Sequence, residues 1–350
     1  MDELKIVGVE GHAANPMSFP APIILQCTVH AALVNDEEKS VLISESGSAY
    51  EVNRVIKEAI YGEVRVGFVL NKNLDGISFQ RTSTIVAIKI YLKSRLVSFA
   101  NRVQENPMRE IAAMCYLQSG GEAHPNIVRM IECLKDEHRM YSILEYYDGG
   151  ELFDVIDEDA NHGRLTEKLG RARIRQILNG IVYLQKIGIC HRDMSLENLL
   201  LCRDGRVVII DFGMCLRVPV HPDTGAVYPM PPQGRCGKIN YMSPEVFENN
   251  APFNGLQSDM WSVGVILFIM LVGVPPMDFP SMGDARYVMI LNGQLGDMLE
   301  HWGVYLSAEA IDLLQRMLNR NPSERLTVEQ IMEHPWMKLD EFMESPIEAA

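Results

Sequence analysis

This 350-residue chain predicts an α+β fold in two unequal parts, and three observations carry that prediction. Apolar and polar residues alternate in three runs between Tyr50 and Tyr91, the period of half-buried strands. Beyond Asp148 the period lengthens to that of helices, most clearly over 171–186 and 260–272. Between the two regimes stands Gly149-Gly150, a pair that breaks both patterns and marks the joint.

Taken in order, residues 1–47 carry an apolar patch, Ile23-Ile24-Leu25, and then an acidic, Ser-rich stretch over 35–48. A packed strand-like extension and a loose tail both fit; partial order is favoured, so 1–47 is set apart as an extension. Strands follow over 50–56, 63–70 and 84–91, the last a β-branched run. Residues 71–76 between the last two strands read as a turn followed by a long loop. A helix over 105–117 and a strand over 140–146 complete the sheet-rich part, 48–147. The helix-rich part is 148–338, where Ser307 announces a helix over 307–318 as its N-cap. An acidic tail, 339–350, closes the chain. No internal repeat is visible.

Composition narrows the function classes. The chain is 47% hydrophobic and 22% charged, ordinary values for a globular protein. A formal charge of −14 leaves no basic footprint, so nucleic acid is not expected as a partner. Seven cysteines form no Cys-x-x-Cys pair and cannot all be paired with one another, which fits a reducing compartment. Met1-Asp2-Glu3 lacks the basic start of a secretory signal. The longest apolar stretch, 263–276, is interrupted by Gly264 and Gly273 and reads as a core helix rather than a membrane span. The expectation is a soluble cytoplasmic monomer with no membrane partner, the nucleus left open as a location.

The chemistry-bearing residues come in a fixed order. Val86-Ala87-Ile88-Lys89 ends a strand; His191-Arg192-Asp193 follows, with Asn198 five residues after the aspartate. Asp211-Phe212-Gly213 and Ser243-Pro244-Glu245 come next. The set resembles the signature of the eukaryotic protein kinases of Ser/Thr type, over 50–336. That resemblance implies a bilobal protein kinase fold, with a small antiparallel-sheet N-lobe and a larger helical C-lobe. It implies ATP and Mg²⁺ as cofactors and a protein substrate with a Ser or Thr acceptor.

By the same resemblance, Lys89 holds the α- and β-phosphates and Glu110, rather than Glu105, fixes it. Asp193 accepts the proton of the substrate hydroxyl, while Asn198 and Asp211 are hard oxygen ligands for Mg²⁺. Leu144 is the gatekeeper, and Glu145 and Tyr147 lie on the hinge that binds adenine. Val64, Ala87 and Leu200 line the nucleotide, and Glu151 reaches ribose or a basic residue of the substrate. Asp259 braces the catalytic loop, and Glu245 pairs with Arg325. His191 packs and hydrogen-bonds rather than reacting.

Two departures stand out. The phosphate-covering loop keeps only Gly62, its other two glycine positions being Lys57 and Ala59, so weaker or altered ATP affinity is expected. In the catalytic loop, Ser195 occupies the place of the lysine that the family aims at the γ-phosphate. Lys238 in turn stands where the family keeps a threonine, so it can return the missing ammonium from the other side. The alternative is a solvated lysine on a substrate-binding loop.

Between Asp211 and Asn240 the only side-chain hydroxyls are Thr224 and Tyr228. A loop ordered by its prolines, with an acidic or backbone partner for Arg192, is therefore expected without phosphorylation. Glu151 and Glu197 point to a basic residue upstream of the acceptor. A pseudokinase scaffold would explain Ser195 but not the retention of Lys89, Glu110, Asp193, Asn198 and Asp211 together. A small-molecule kinase of related fold would not need the Ser-Pro-Glu segment.

Overall fold

A computed structural model describes residues 18–99, 103–119, 121, 123–157, 163–221 and 226–339. The expectations for residues 1–17, for Pro222 and Thr224, and for 340–350 lie outside the described residues. The chain divides into two compact units. One holds residues 19–123 and 127–148; the other holds 124–126 and the chain from Gly149 onward.

The smaller unit is a closed barrel of seven strands in the order β1-β2-β3-β4-β5-β7-β6. These are β1 (Leu25–Val34), β2 (Glu37–Ser44), β3 (Ala49–Ala59), β4 (Gly62–Lys72), β5 (Phe79–Leu92), β6 (Met130–Lys135) and β7 (Arg139–Glu145). Successive neighbours are antiparallel, and β1 closes the barrel by parallel pairing, Leu25 opposite Leu134 on β6 and Val34 opposite Phe79 on β5. The 1–47 extension is thus corrected: no boundary falls at residue 47, because residues 25–44 are a hairpin of this sheet. Its turn is Asn35-Asp36, both left-handed (φ 44° and 65°), the two-residue turn whose twist suits a hairpin.

Alternation decides what each strand buries. On β5, Val86, Ile88 and Ile90 point into the barrel with Leu42, Tyr50, Leu134, Tyr141 and Ile143. Ala87 and Lys89 therefore face the other side of the sheet. The turn expected at 71–76 is present, but the long loop expected after it is instead strand, since β4 runs to Lys72 and β5 begins at Phe79. Asp75 closes the turn by accepting from the N–H of Ile77 and Ser78 at 2.9 and 3.0 Å. Two helices complete the unit, α1 (Lys93–Phe99) and α2 (Pro107–Gln118). Asn106 caps α2, accepting from the N–H of Met108 and Arg109, and Pro107 follows at the first helical position.

The larger unit is helical: α3 (Leu152–Asp157), α4 (Glu167–Lys186), α5 (Pro244–Glu248), α6 (Gly255–Val272), α7 (Ala285–Leu291), α8 (Leu295–His301), α9 (Ala308–Met317), α10 (Val328–Met332) and α11 (Pro335–Lys338). Helix α6 is long and apolar enough to cross a membrane, but 89% of it is buried inside the protein, and it serves as the central core helix. Ser307 caps α9, accepting from the N–H of Ala310 at 3.2 Å, as the sequence predicts. Four short strands, β8 (Ile189–Cys190), β9 (Leu199–Leu201), β10 (Val207–Ile209) and β11 (Leu216–Arg217), form two hairpin-like pairs, β9 with β10 and β8 with β11.

Residues 124–126 belong to this unit rather than to the sheet-rich part, a second correction to the expected boundaries. The reason is specific bonding. His124 stacks on Tyr183 with centroids 5.0 Å apart, and the Asn126 amide donates to the Val207 carbonyl at 2.8 Å.

Candidate active site

In the smaller unit, Lys89 Nζ donates to both carboxylate oxygens of Glu110, at 2.7 and 2.8 Å. Glu110 is buried in α2 and also accepts from the Tyr91 hydroxyl at 3.2 Å. Both oxygens of the carboxylate are thereby engaged by the lysine, which fixes the direction of the ammonium.

Strand register gathers the expected adenine-lining residues on one face. Val64 lies opposite Lys89, and Ala87 lies opposite Leu144. Ala87 and Lys89 are two apart on β5, so all four share the side that faces away from the barrel core. Glu145 pairs with Val86 at the end of β7. Tyr147 is buried, and its hydroxyl accepts from the N–H of Arg129 at 3.2 Å.

The phosphate-covering segment is a tight hairpin here. Strands β3 and β4 stay paired to Ala59 and Gly62, leaving only Ile60 and Tyr61 in the turn. Lys57 is exposed, whereas Gly62 is buried. The sequence reading assigns Gly62 to the phosphates, but the structure adds a stronger demand. A Cβ there would stand 2.0 Å from the Ile90 carbonyl oxygen, so only glycine lets β4 pass β5 at this point. The aromatic tip, Tyr61, folds inward and donates to the Glu105 carbonyl at 2.8 Å.

The larger unit carries the loop after β8. Asp259, buried in α6, accepts the N–H of His191 at 2.6 Å and of Arg192 at 2.8 Å. Burial raises its carboxyl above the ordinary range, opposed by His191 and Arg192. His191 packs and bonds as expected, its Nε2 2.9 Å from the Ile210 carbonyl and its ring edge-on to Phe212. Arg192 has a backbone partner, donating to the Met214 carbonyl at 3.2 Å.

Asp193 is the centre of this loop. Its Oδ2 accepts from the Asn198 amide at 3.0 Å, and the same amide donates to the Asp193 carbonyl at 2.8 Å. Its Oδ1 is buried with no hydrogen-bond partner among the described residues. The carboxyl is held above its ordinary pKa, first by burial and further by Asp211, while Lys238 and His191 oppose. The Asn198 carbonyl accepts from the N–H of Ile210 at 3.0 Å, tying the loop to the segment that delivers Asp211. Asp211 is left-handed (φ 64°) and accepts from the N–H of Gly213 at 3.1 Å. Glu151 and Leu200, expected at nucleotide or substrate, meet in an antiparallel bridge.

Lys238 keeps part of its side chain in solvent but is tethered at its charged end. Its Nζ donates to the buried Ser195 hydroxyl at 2.7 Å and lies 3.7 Å from the Glu197 carboxylate. One residue that sequence reasoning missed is Gly237. At φ 80°, a Cβ on it would stand 2.8 Å from the Arg192 carbonyl and 3.2 Å from Asp193 Oδ1, so the activation segment lies directly on the loop. The signal for it was present as the glycine preceding Lys238.

Against known proteins, the protein kinase domain model matches residues 75–337. The chain belongs to the protein kinase family. The match begins after β1–β4, so the phosphate-covering hairpin lies outside it. Among curated relatives, this kinase is similar to CBL-interacting protein kinase 1 of Oryza sativa subsp. japonica, 35% identical over 83% of this chain and 56% of that protein. It is also similar to CBL-interacting protein kinase 9 of the same plant, at 32% over 83% and 57%. CBL-interacting serine/threonine-protein kinase 3 of Arabidopsis thaliana is 33% identical over 83% and 59%. The chain thus spans little more than half the length of the curated relatives it matches.

Proposed function

We propose that this kinase transfers the γ-phosphate of ATP to Ser or Thr hydroxyls of protein substrates. The observation that carries the reading is the buried, unpartnered Oδ1 of Asp193, aligned by the bond from Asn198 to its sister oxygen. An acceptor hydroxyl donates its proton there as its oxygen forms a bond to the γ-phosphorus. The bond to the bridging oxygen breaks, and ADP leaves. Lys89 holds the α- and β-phosphates in this reading, which its two bonds to Glu110 support.

The donor set fits Mg²⁺. The Asn198 amide nitrogen is committed to Asp193, so its side-chain carbonyl oxygen remains for a cation, and the carboxylate of Asp211 would be the second ligand. These are hard oxygen ligands. When bound, the cation neutralises the charge that grows on the transferring phosphate. Val64, Ala87 and Leu144 offer the smaller unit's apolar surface for adenine, with the backbone of Glu145 and Tyr147 at its edge. The tight, glycine-poor hairpin at 57–62 supports a high KM for ATP.

A basic residue upstream of the acceptor is part of the proposal. Glu197 is partly neutralised by Lys238 at 3.7 Å, so Glu151 is the stronger determinant. Transfer of labelled phosphate from ATP and Mg²⁺ to a peptide library tests the reading. Wild type labels Ser/Thr peptides with upstream basic residues, and Lys89→Met and Asp193→Asn do not. Equal labelling by all three proteins would overturn it.

A further inference from the structure

We propose that Lys238, carried on the activation segment, is the catalytic cation of this kinase, held in place by the Ser195 hydroxyl. The inference rests on the phosphoryl-transfer reading above and names the residue that stabilises the migrating group.

Three observations carry it. The first is the anchoring of the ammonium. Ser195 precedes the short turn Leu196–Asn198 but makes no side-chain cap bond, and its fully buried hydroxyl accepts from Lys238 Nζ at 2.7 Å instead. A hydroxyl that caps nothing, two residues from Asp193, thus positions a charge that arrives from 43 residues away.

The second is the backbone. Gly237 rests on the Arg192 carbonyl and the Asp193 carboxylate, and the Lys238 carbonyl accepts from the N–H of Tyr241 at 3.0 Å. The lysine therefore leaves a fixed main chain beside the loop. Arg192, the neighbouring cation in sequence, sends Nη1 to the Met214 carbonyl instead.

The third is the charge balance. Here the close partner is a neutral hydroxyl, and Glu197 is at 3.7 Å, so the positive charge is only partly cancelled. The Lys238 side chain is 38% exposed, open enough to meet a phosphate that displaces solvent from it.

In the reaction, the acceptor oxygen bonds to the γ-phosphorus, the bond to the β-bridging oxygen breaks, and the hydroxyl proton passes to Asp193. Lys238 donates to an equatorial oxygen of the migrating group. Ser195 and Glu197 are positioning residues.

The test compares wild type, Lys238→Met, Lys238→Thr and the double variant Ser195→Lys/Lys238→Thr, with Asp193→Asn as the inactive reference. Two readouts are taken: turnover, and the tightening of ADP binding when Mg²⁺ and fluoride supply a mimic of the migrating phosphate. Removing one preorganised donor lowers kcat by about 10²–10³-fold. The expected result is that loss in both single variants, with ADP affinity alone unchanged and the fluoride-dependent tightening abolished. The double variant regains both. Single variants that turn over like wild type, or that keep the tightening, overturn the role of Lys238 while leaving the kinase reading intact. Wild-type turnover no faster than Asp193→Asn overturns the kinase reading and this inference together. The Met variant keeps the aliphatic stem, so a packing defect confined to Lys238→Thr does not decide the outcome.

Discussion

Asp259 holds Arg192 in the left-handed region: the carboxylate accepts from the Arg192 N–H at 2.8 Å, and that residue has φ 67°. The other carboxylate oxygen takes the N–H of His191 at 2.6 Å. One side chain from the central helix thus sets the direction in which Asp193 leaves the loop. Asp259→Ala strands two buried N–H groups, each worth about 1–3 kcal/mol when unsatisfied, so a loss of roughly 2–6 kcal/mol is expected in urea unfolding. Asp259→Asn keeps one good acceptor and should fall between the two. Turnover should drop in step with the loss of loop geometry, even in conditions where the variant is folded.

Gly237→Ala tests how closely the activation segment must lie on the loop. At φ 80° any side chain is strained, and the new methyl would sit 2.8 Å from the Arg192 carbonyl. A non-glycine residue forced into this conformation costs about 1–3 kcal/mol. The segment relieves the contact by lifting, which carries Lys238 off Ser195. Lower kcat with a near-native melting temperature is the expected outcome, read by peptide phosphorylation beside a thermal melt.

Leu42→Ala asks whether the amino-terminal hairpin belongs to the core. Leu42 is fully buried and packs in the cluster that contains Ile88 and Leu134. Truncating such a side chain costs about 2–5 kcal/mol, because most of the cavity remains. A loose tail would make the substitution nearly neutral in denaturant unfolding. The sequence reading underestimated this segment for a physical reason. Glu37, Glu38 and Lys39 open β2 as a charged run, Glu37 and Glu38 exposed, and mask the apolar Val41-Leu42-Ile43 behind them. The two-residue Asn35-Asp36 turn was the available signal.

Other parts were legible because their information is local. The alternation of Val86-Ala87-Ile88-Lys89 fixes which side chains enter the barrel, and Ser307 caps its helix within three residues. The start of β5 at Phe79 was missed because Gln80 and Arg81 do not alternate as apolar and polar. At the site, the five-residue spacing of Asp193 and Asn198 is closed by a single turn, so spacing alone places the amide on the carboxylate. The bond from Lys238 to Ser195 spans 43 residues, and no period or propensity encodes it. It was legible only as two complementary departures from one family pattern.

Glu167 gives the larger unit an acid-sensitive clamp. Its carboxylate accepts from the Ser307 N–H, the Ser307 hydroxyl and the Trp336 indole, each at 2.7 Å, joining the starts of α4 and α9 to α11. Burial alone raises its pKa, but these donors and Arg171 outweigh burial and hold the carboxyl below its usual value of 4.5. The charged form is therefore preferred in the fold. Stability from this site is fully present above the unfolded pKa and is lost as pH falls through the folded one. Glu167→Gln should leave a flatter fall in melting temperature below about pH 4.5, where the unfolded carboxyl begins to bind protons that the native one refuses. Melts from pH 3 to 7, in steps of roughly half a unit, compare the two slopes. Parallel curves for wild type and variant would show that the three bonds do not couple protonation to folding.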